Sequence, residues 1–212
     1  MRKFLVSKWA KVVVFALSLT PFLWIAWRTY RGELTANPVE FYQHQTGDWT
    51  LRFLVFTLCI TPLRKIFSLP ELVRFRRMLG LFGFFYVCLH FLTYLGPDQS
   101  FSFSGMLKDV AKRPFVTVGF AALVLLIPLA ITSTAGWIRR LGGRRWQMLH
   151  RAVYASAVLG VIHYYWLVKS DVRKPLFYGG VVAVLLAWRI WWWASKRKVP
   201  AAVAQPSPAQ SA

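Results

Sequence analysis

Four side chains in this 212-residue chain stand where they could do chemistry in an apolar setting: His90, His150, His163 and Arg77. His90 lies in MLGLFGFFYVCLHFLTYL (78–95), and His150 and His163 lie in MLHRAVYASAVLGVIHYYWLV (148–168). An imidazole is costly to place in hydrocarbon and usually marks function. Two neutral imidazoles from facing helices can take the two axial positions of one haem iron. Attachment through thioethers needs CxxCH, which is absent, so such a haem is non-covalent and b-type. The guanidinium of Arg77 suits the carboxylate geometry of a haem propionate. The chemistry indicated is electron transfer. No Walker loop, no GxGxxG and no nucleophile–base arrangement is present.

These side chains need helices that span a bilayer, and the composition supplies them. The chain is 57% hydrophobic and 17% aromatic. Repeated apolar runs of this length are rare in a soluble domain. The expected fold is all-α: a polytopic six-transmembrane helix bundle with spans at about 12–27, 49–67, 78–95, 115–134, 148–168 and 176–193. One membrane domain covers 1–198, and the Pro/Ala/Ser/Gln-rich tail 199–212 is expected to be disordered. Pro21 is expected to kink the first span. A short interfacial helix is expected around 106–111, and GWIRRLGGRRWQ reads as a turn. Cys59 and Cys88 read as small buried residues. His44 lies in a connector and is expected to have no ligand role.

The net charge of +20 is distributed between the apolar runs, so it reads as topology and not as a nucleic-acid patch. Of the 27 Lys and Arg, 18 fall on one side of a six-span chain. Six of the seven acids fall on the other, all in connectors. The basic side is cytoplasmic, which puts both termini in the cytoplasm and makes anionic lipid headgroups the partner of the loops. His163 then lies about 20 Å further outward than His150, at 1.5 Å per residue. His90 shares the outer depth with His163. The inner level holds His150, opposite Arg77 and Met78. Met78 is a candidate sixth ligand there; a five-coordinate inner haem, or none, fits equally. His150 and His163 sit about 140° apart around an ideal helix. Either a single haem or two haems offset around the bundle interior satisfies this spacing.

The stretches RFRRMLGLFGFFYVCLHFLTY (74–94), LAITSTAGWIRRLGGRRWQMLHRAVY (129–154) and VIHYYWLVKSD (161–171) carry a resemblance. Over about 190 residues the chain resembles the ferric reductase-like transmembrane superfamily and, within it, the bacterial YedZ/MsrQ family. The resemblance implies a b-type cytochrome of the bacterial inner membrane. It would pass electrons from quinol, or from a reduced flavin, to a periplasmic molybdopterin-containing partner of the MsrP type that reduces methionine sulfoxide in oxidised proteins. FMN and a cytosolic flavin reductase are implied by some members. Eukaryotic relatives carry a second histidine where this chain has Arg77. They also carry a cytosolic flavin and nicotinamide domain, which is not expected in this chain. The competing readings are a stand-alone ferric or other metal reductase of the same superfamily and a haem-free membrane scaffold.

Overall fold

Large apolar side chains face outward along much of the protein. Phe177, Val184 and Ile190 on the last helix are 67%, 68% and 67% exposed, and Trp9 on the first long helix is 72% exposed. Water does not stabilise such a surface; lipid does. The structure is a computed structural model that describes residues 2–168 and 170–197. The helices are α1 (Arg2–Val6), α2 (Lys8–Tyr30), α3 (Pro38–Ile66), α4 (Val73–Thr93), α5 (Phe103–Lys112), α6 (Pro114–Ile131), α7 (Ala135–Leu141), α8 (Gly143–Leu149), α9 (Ala152–Leu167) and α10 (Arg173–Arg197). No strand occurs among the described residues. The tail expected to be disordered over 199–212 lies outside the described residues.

Of the six expected spans, four are long and apolar enough to cross a membrane: Lys8–Tyr30, Pro70–Pro97, Pro114–Ile131 and Arg173–Ser195. Helix α3 is long enough, but its first half carries Glu40, His44, Asp48 and Arg52. Helix α9 is apolar but has 16 residues. The protein is therefore an all-helical multi-pass membrane protein.

Three boundaries differ from the expectation, each for a local reason. The 28–49 connector is half helical, because Asn37 caps the amide of Glu40 and Pro38 stands at the first helical position. As a result Glu40 and Asp48 lie on α3 and Asp109 lies on α5, not in loops. The GWIRRLGG turn is two short helices hinged at Gly142, whose φ of +74° suits glycine. The expected fifth span breaks at 150–151, so His150 caps α8 and does not share a helix with His163.

Helices α3 and α4 pack as one pair and α6 and α9 as another, with α10 lying against α9 and α3. Their shared core contains Leu54, Leu58, Val87, Leu123, Ala157 and Val182. Small residues let α6 and α9 approach closely. Ser156 is fully buried, and its hydroxyl donates to the Ala122 carbonyl at 2.9 Å. Arg52, which enters α3 early, is held by Asp48 at 3.4 Å and by the Tyr178 hydroxyl at 3.0 Å.

Pro21 sits inside α2, and the carbonyl of Leu17 loses its helical donor there. Thr20 Oγ1 donates to that carbonyl at 2.6 Å. The buried hydroxyl of Tyr86 on α4 donates to Ser18 O at 2.9 Å and accepts from Phe22 N at 3.1 Å. Tyr86→Phe leaves two backbone groups of α2 underserved. It is expected to cost about 1–3 kcal/mol, read as a lower thermal midpoint in detergent.

Candidate haem-ligand site

Helix α4 brings His90 to its last turn, and α9 brings His163 to face it across the bundle. The two ring centres lie 6.1 Å apart, with the planes crossed at 77°. A metal–imidazole bond of about 2 Å on each side, plus roughly 1.2 Å from nitrogen to ring centre, places two axial imidazoles roughly 6 Å apart. The spacing therefore matches a shared iron. Both rings are part-buried, and among the described residues no group of three or more His, Cys, Asp or Glu converges.

Each ring is held the same way. His90 Nδ1 lies 3.0 Å from the Gln43 carbonyl on α3, and His163 Nδ1 lies 2.7 Å from the Phe115 carbonyl on α6. A carbonyl only accepts, so each Nδ1 carries the proton and each Nε2 presents a lone pair. This is the tautomer and bracing that a ligating histidine needs.

A glycine clears the way in both cases. Gly47 stands four residues after Gln43, and Gly119 four residues after Phe115. In a helix the residue at i+4 sits over the carbonyl of residue i. A Cβ on Gly47 would lie 3.2 Å from His90 Cε1. A Cβ on Gly119 would lie 2.6 Å from His163 Nδ1 and 2.8 Å from its Cε1. The two glycines form cradles in which the imidazoles rest. Sequence reasoning missed both, although a glycine inside an apolar helix is itself a signal because it weakens the helix.

His150 lies elsewhere, at the α8–α9 junction. Its ring stacks on Trp146 with centres 3.9 Å apart, and its Nδ1 donates to the Trp146 carbonyl at 3.0 Å. Its Nε2 is 3.5 Å from the Ser133 hydroxyl at the end of α6. The α4 arginine close enough to act on His150 is Arg76. Arg77 lines a groove between α2 and α4, together with Lys11 and Arg74. A second arginine, Arg189 on α10, also lies within reach of Arg76. It donates to the Tyr154 hydroxyl at 2.5 Å and to the Leu58 carbonyl at 2.7 Å. Its Nε is buried and has no hydrogen-bond partner among the described residues. Tyr154 stands four residues after His150, beyond the break at 150–151. Among the described residues neither Arg76 nor Arg189 is paired with a carboxylate. The remaining histidine, His44, is exposed and 3.6 Å from Glu40 Oε1.

The family described as ferric reductase like transmembrane component matches residues 46–161, a window that takes in Gly47, His90, Gly119 and His150. A protein of Herminiimonas arsenicoxydans named "protein-methionine-sulfoxide reductase heme-binding subunit MsrQ" is 54% identical over 199 residues, which is 93% of this chain and 91% of that one. The chain belongs to the MsrQ family. MsrQ proteins of the same name from Caulobacter vibrioides and Xanthomonas euvesicatoria pv. vesicatoria are 50% and 47% identical. They cover 84% and 94% of this chain, and 85% and 94% of their own length. No solved structure matches this MsrQ-family chain.

Proposed function

We propose that this chain is the haem-binding, electron-carrying subunit of a membrane methionine-sulfoxide reductase system. The observation that carries the reading is the His90–His163 pair: ring centres 6.1 Å apart, both Nδ1 atoms engaged and both Nε2 atoms available. The names of the relatives agree with it. A bound haem b supplies one-electron exchange, and the protein supplies its position, orientation and insulation. His90 and His163 would hold the haem iron between them, while the Gln43 and Phe115 carbonyls keep each ring in the ligating tautomer. His150 would hold a second, inner haem, whose carboxylate side arms Arg76 and Arg189 would meet, a role the buried, unpartnered Nε of Arg189 suits.

Helices α2, α3, α4, α6, α9 and α10 each cross the bacterial inner membrane once, with both termini cytoplasmic by the charge bias. Helix α3, at about 43 Å, exceeds the hydrocarbon thickness; α9, at about 24 Å, falls short and is extended by the α8 junction. His90 and His163 then face the periplasmic side, where an MsrP-type molybdopterin partner accepts electrons. The donor is a quinol of the membrane, or a flavin such as FMN reduced by a cytosolic reductase. Quinol oxidation releases two electrons and two protons. Reduction of a sulfoxide to a thioether and water consumes two of each, so the overall reaction balances.

The reading is tested by reducing the purified protein with a quinol analogue, in parallel with reduced FMN, and then adding the periplasmic partner or a ferric chelate. Reoxidation by the partner supports the proposal. Reoxidation by the chelate alone assigns the chain to stand-alone metal reduction, and the absence of any haem absorbance returns it to a scaffold. At the inner site, His150→Ala is expected to remove one redox component and leave the other. Arg189→Gln is expected to lower the potential of that same component by tens of millivolts, because it withdraws a cation that favours the reduced state. A redox titration with unchanged components would remove both residues from the site.

A further inference from the structure

The groove that holds Arg77 has a charged end and an apolar body. It measures about 480 Å³ and is lined by Lys11, Phe15 and Leu19 on α2 and by Arg74, Arg77, Leu81 and Phe85 on α4. Lys11, Phe15 and Leu19 are spaced by four residues on one face of α2, and Arg77, Leu81 and Phe85 are spaced the same way on α4. Phe15 packs on Phe82 and Phe22 packs on Phe85, so the two stripes run in the same direction and both cations lie at the same end. Each stripe is about 12 Å long.

The cations at that end are not equivalent. Arg74 is engaged: it donates to the Leu5 and Val6 carbonyls and ties α1 against the mouth of the groove. Lys11 and Arg77 are exposed and have no hydrogen bond, ion pair or aromatic contact among the described residues. The slot thus offers two uncompensated positive charges above an apolar channel that opens to the bilayer. We propose that it is a binding site for an anionic phospholipid. The phosphate head sits between Lys11 and Arg77, and an acyl chain runs outward along Phe15, Leu19, Leu81 and Phe85. Basic pockets between membrane helices bind acidic headgroups by the same logic. A zwitterionic lipid brings its own ammonium to the two cations and is disfavoured. Arg77 is then a lipid-anchoring residue that clamps α2 to α4, and the site stands whatever the electron donor.

The test uses the full-length haem-loaded protein in nanodiscs of equal parts phosphatidylglycerol and phosphatidylcholine, with the retained lipid read by native mass spectrometry. The wild type is expected to retain phosphatidylglycerol. In the K11Q/R77Q double variant the phosphatidylglycerol-to-phosphatidylcholine ratio is expected to fall by about tenfold or more, at roughly 1 kcal/mol per cation. The R144Q/R145Q control removes the same charge from α8 and is expected to keep the ratio. Leu81→Trp fills the acyl channel with the charges intact and is expected to lower total retained lipid, a readout that remains if the double variant fails to fold. No preference in the wild type, equal loss in the α8 control, or undiminished retention in Leu81→Trp would overturn the proposal. Release of the lipid by added FMN would reassign the two cations to a flavin phosphate and overturn it equally.

Discussion

His90→Ala and His163→Ala are each expected to abolish the six-coordinate low-spin haem spectrum, and the double variant is expected to lose no more than either single one. The two rings face each other across 6.1 Å, and as the proposed ligands of one metal each would contribute only while the other is present. Residues that act as a unit are not additive. The outer haem is expected to fall by about one per chain in either variant, read by pyridine haemochrome against protein concentration. The component proposed for His150 is expected to persist, because that residue lies at a separate junction braced by Trp146. If His90→Ala lost its six-coordinate signal while His163→Ala kept it, the two histidines would not share an iron.

Gly119→Ala is the second large effect, and its sign is unusual. Alanine is the better helix former, so α6 should gain up to about 1 kcal/mol of intrinsic stability. The added methyl nevertheless lands 2.6 Å from His163 Nδ1, and the ring must leave the Phe115 carbonyl to make room. A ligand displaced by even part of an ångström no longer meets the iron. Haem occupancy in a titration of apoprotein is expected to fall at least about tenfold while the helical signal is retained, since the loss amounts to a hydrogen bond and a bond angle. Gly47→Ala meets His90 at 3.2 Å, a contact that a small shift relieves, and is expected to have the weaker effect. Wild-type affinity in Gly119→Ala would show that the cradle does not position the ring.

How much of this was legible in the sequence depended on the kind of signal. Long apolar runs and the charge asymmetry follow directly from residue type, and the helices that carry them are present. The equal depth of His90 and His163 follows from counting residues, and the structure brings their rings together. Local backbone chemistry was harder to read. The Asn37–Pro38 start of α3 was hidden under polar composition, although the cap and the proline were visible. The break before α9 depends on the α8 turn packing its Trp146 and His150 against Thr132 and Ser133. That is a tertiary fact. The same holds for Arg76 and Arg189, which a count of charges by side assigns to topology. Only the packing of α10 on α3 and α9 shows that Arg189 points into the bundle and bonds Tyr154 and Leu58. The two glycines became meaningful only once the carbonyls four residues earlier were seen to accept from histidines on other helices.

The central claim is that His90 and His163 ligate one iron through their Nε2 atoms, with ring planes crossed as the structure has them at 77°. Low-temperature electron paramagnetic resonance of the oxidised protein, combined with near-infrared magnetic circular dichroism, reads the axial pair directly. The account predicts a bis-imidazole charge-transfer band together with the highly anisotropic low-spin signal that crossed ligand planes produce. A histidine–methionine band, or a ferric protein that is high-spin throughout, would contradict it.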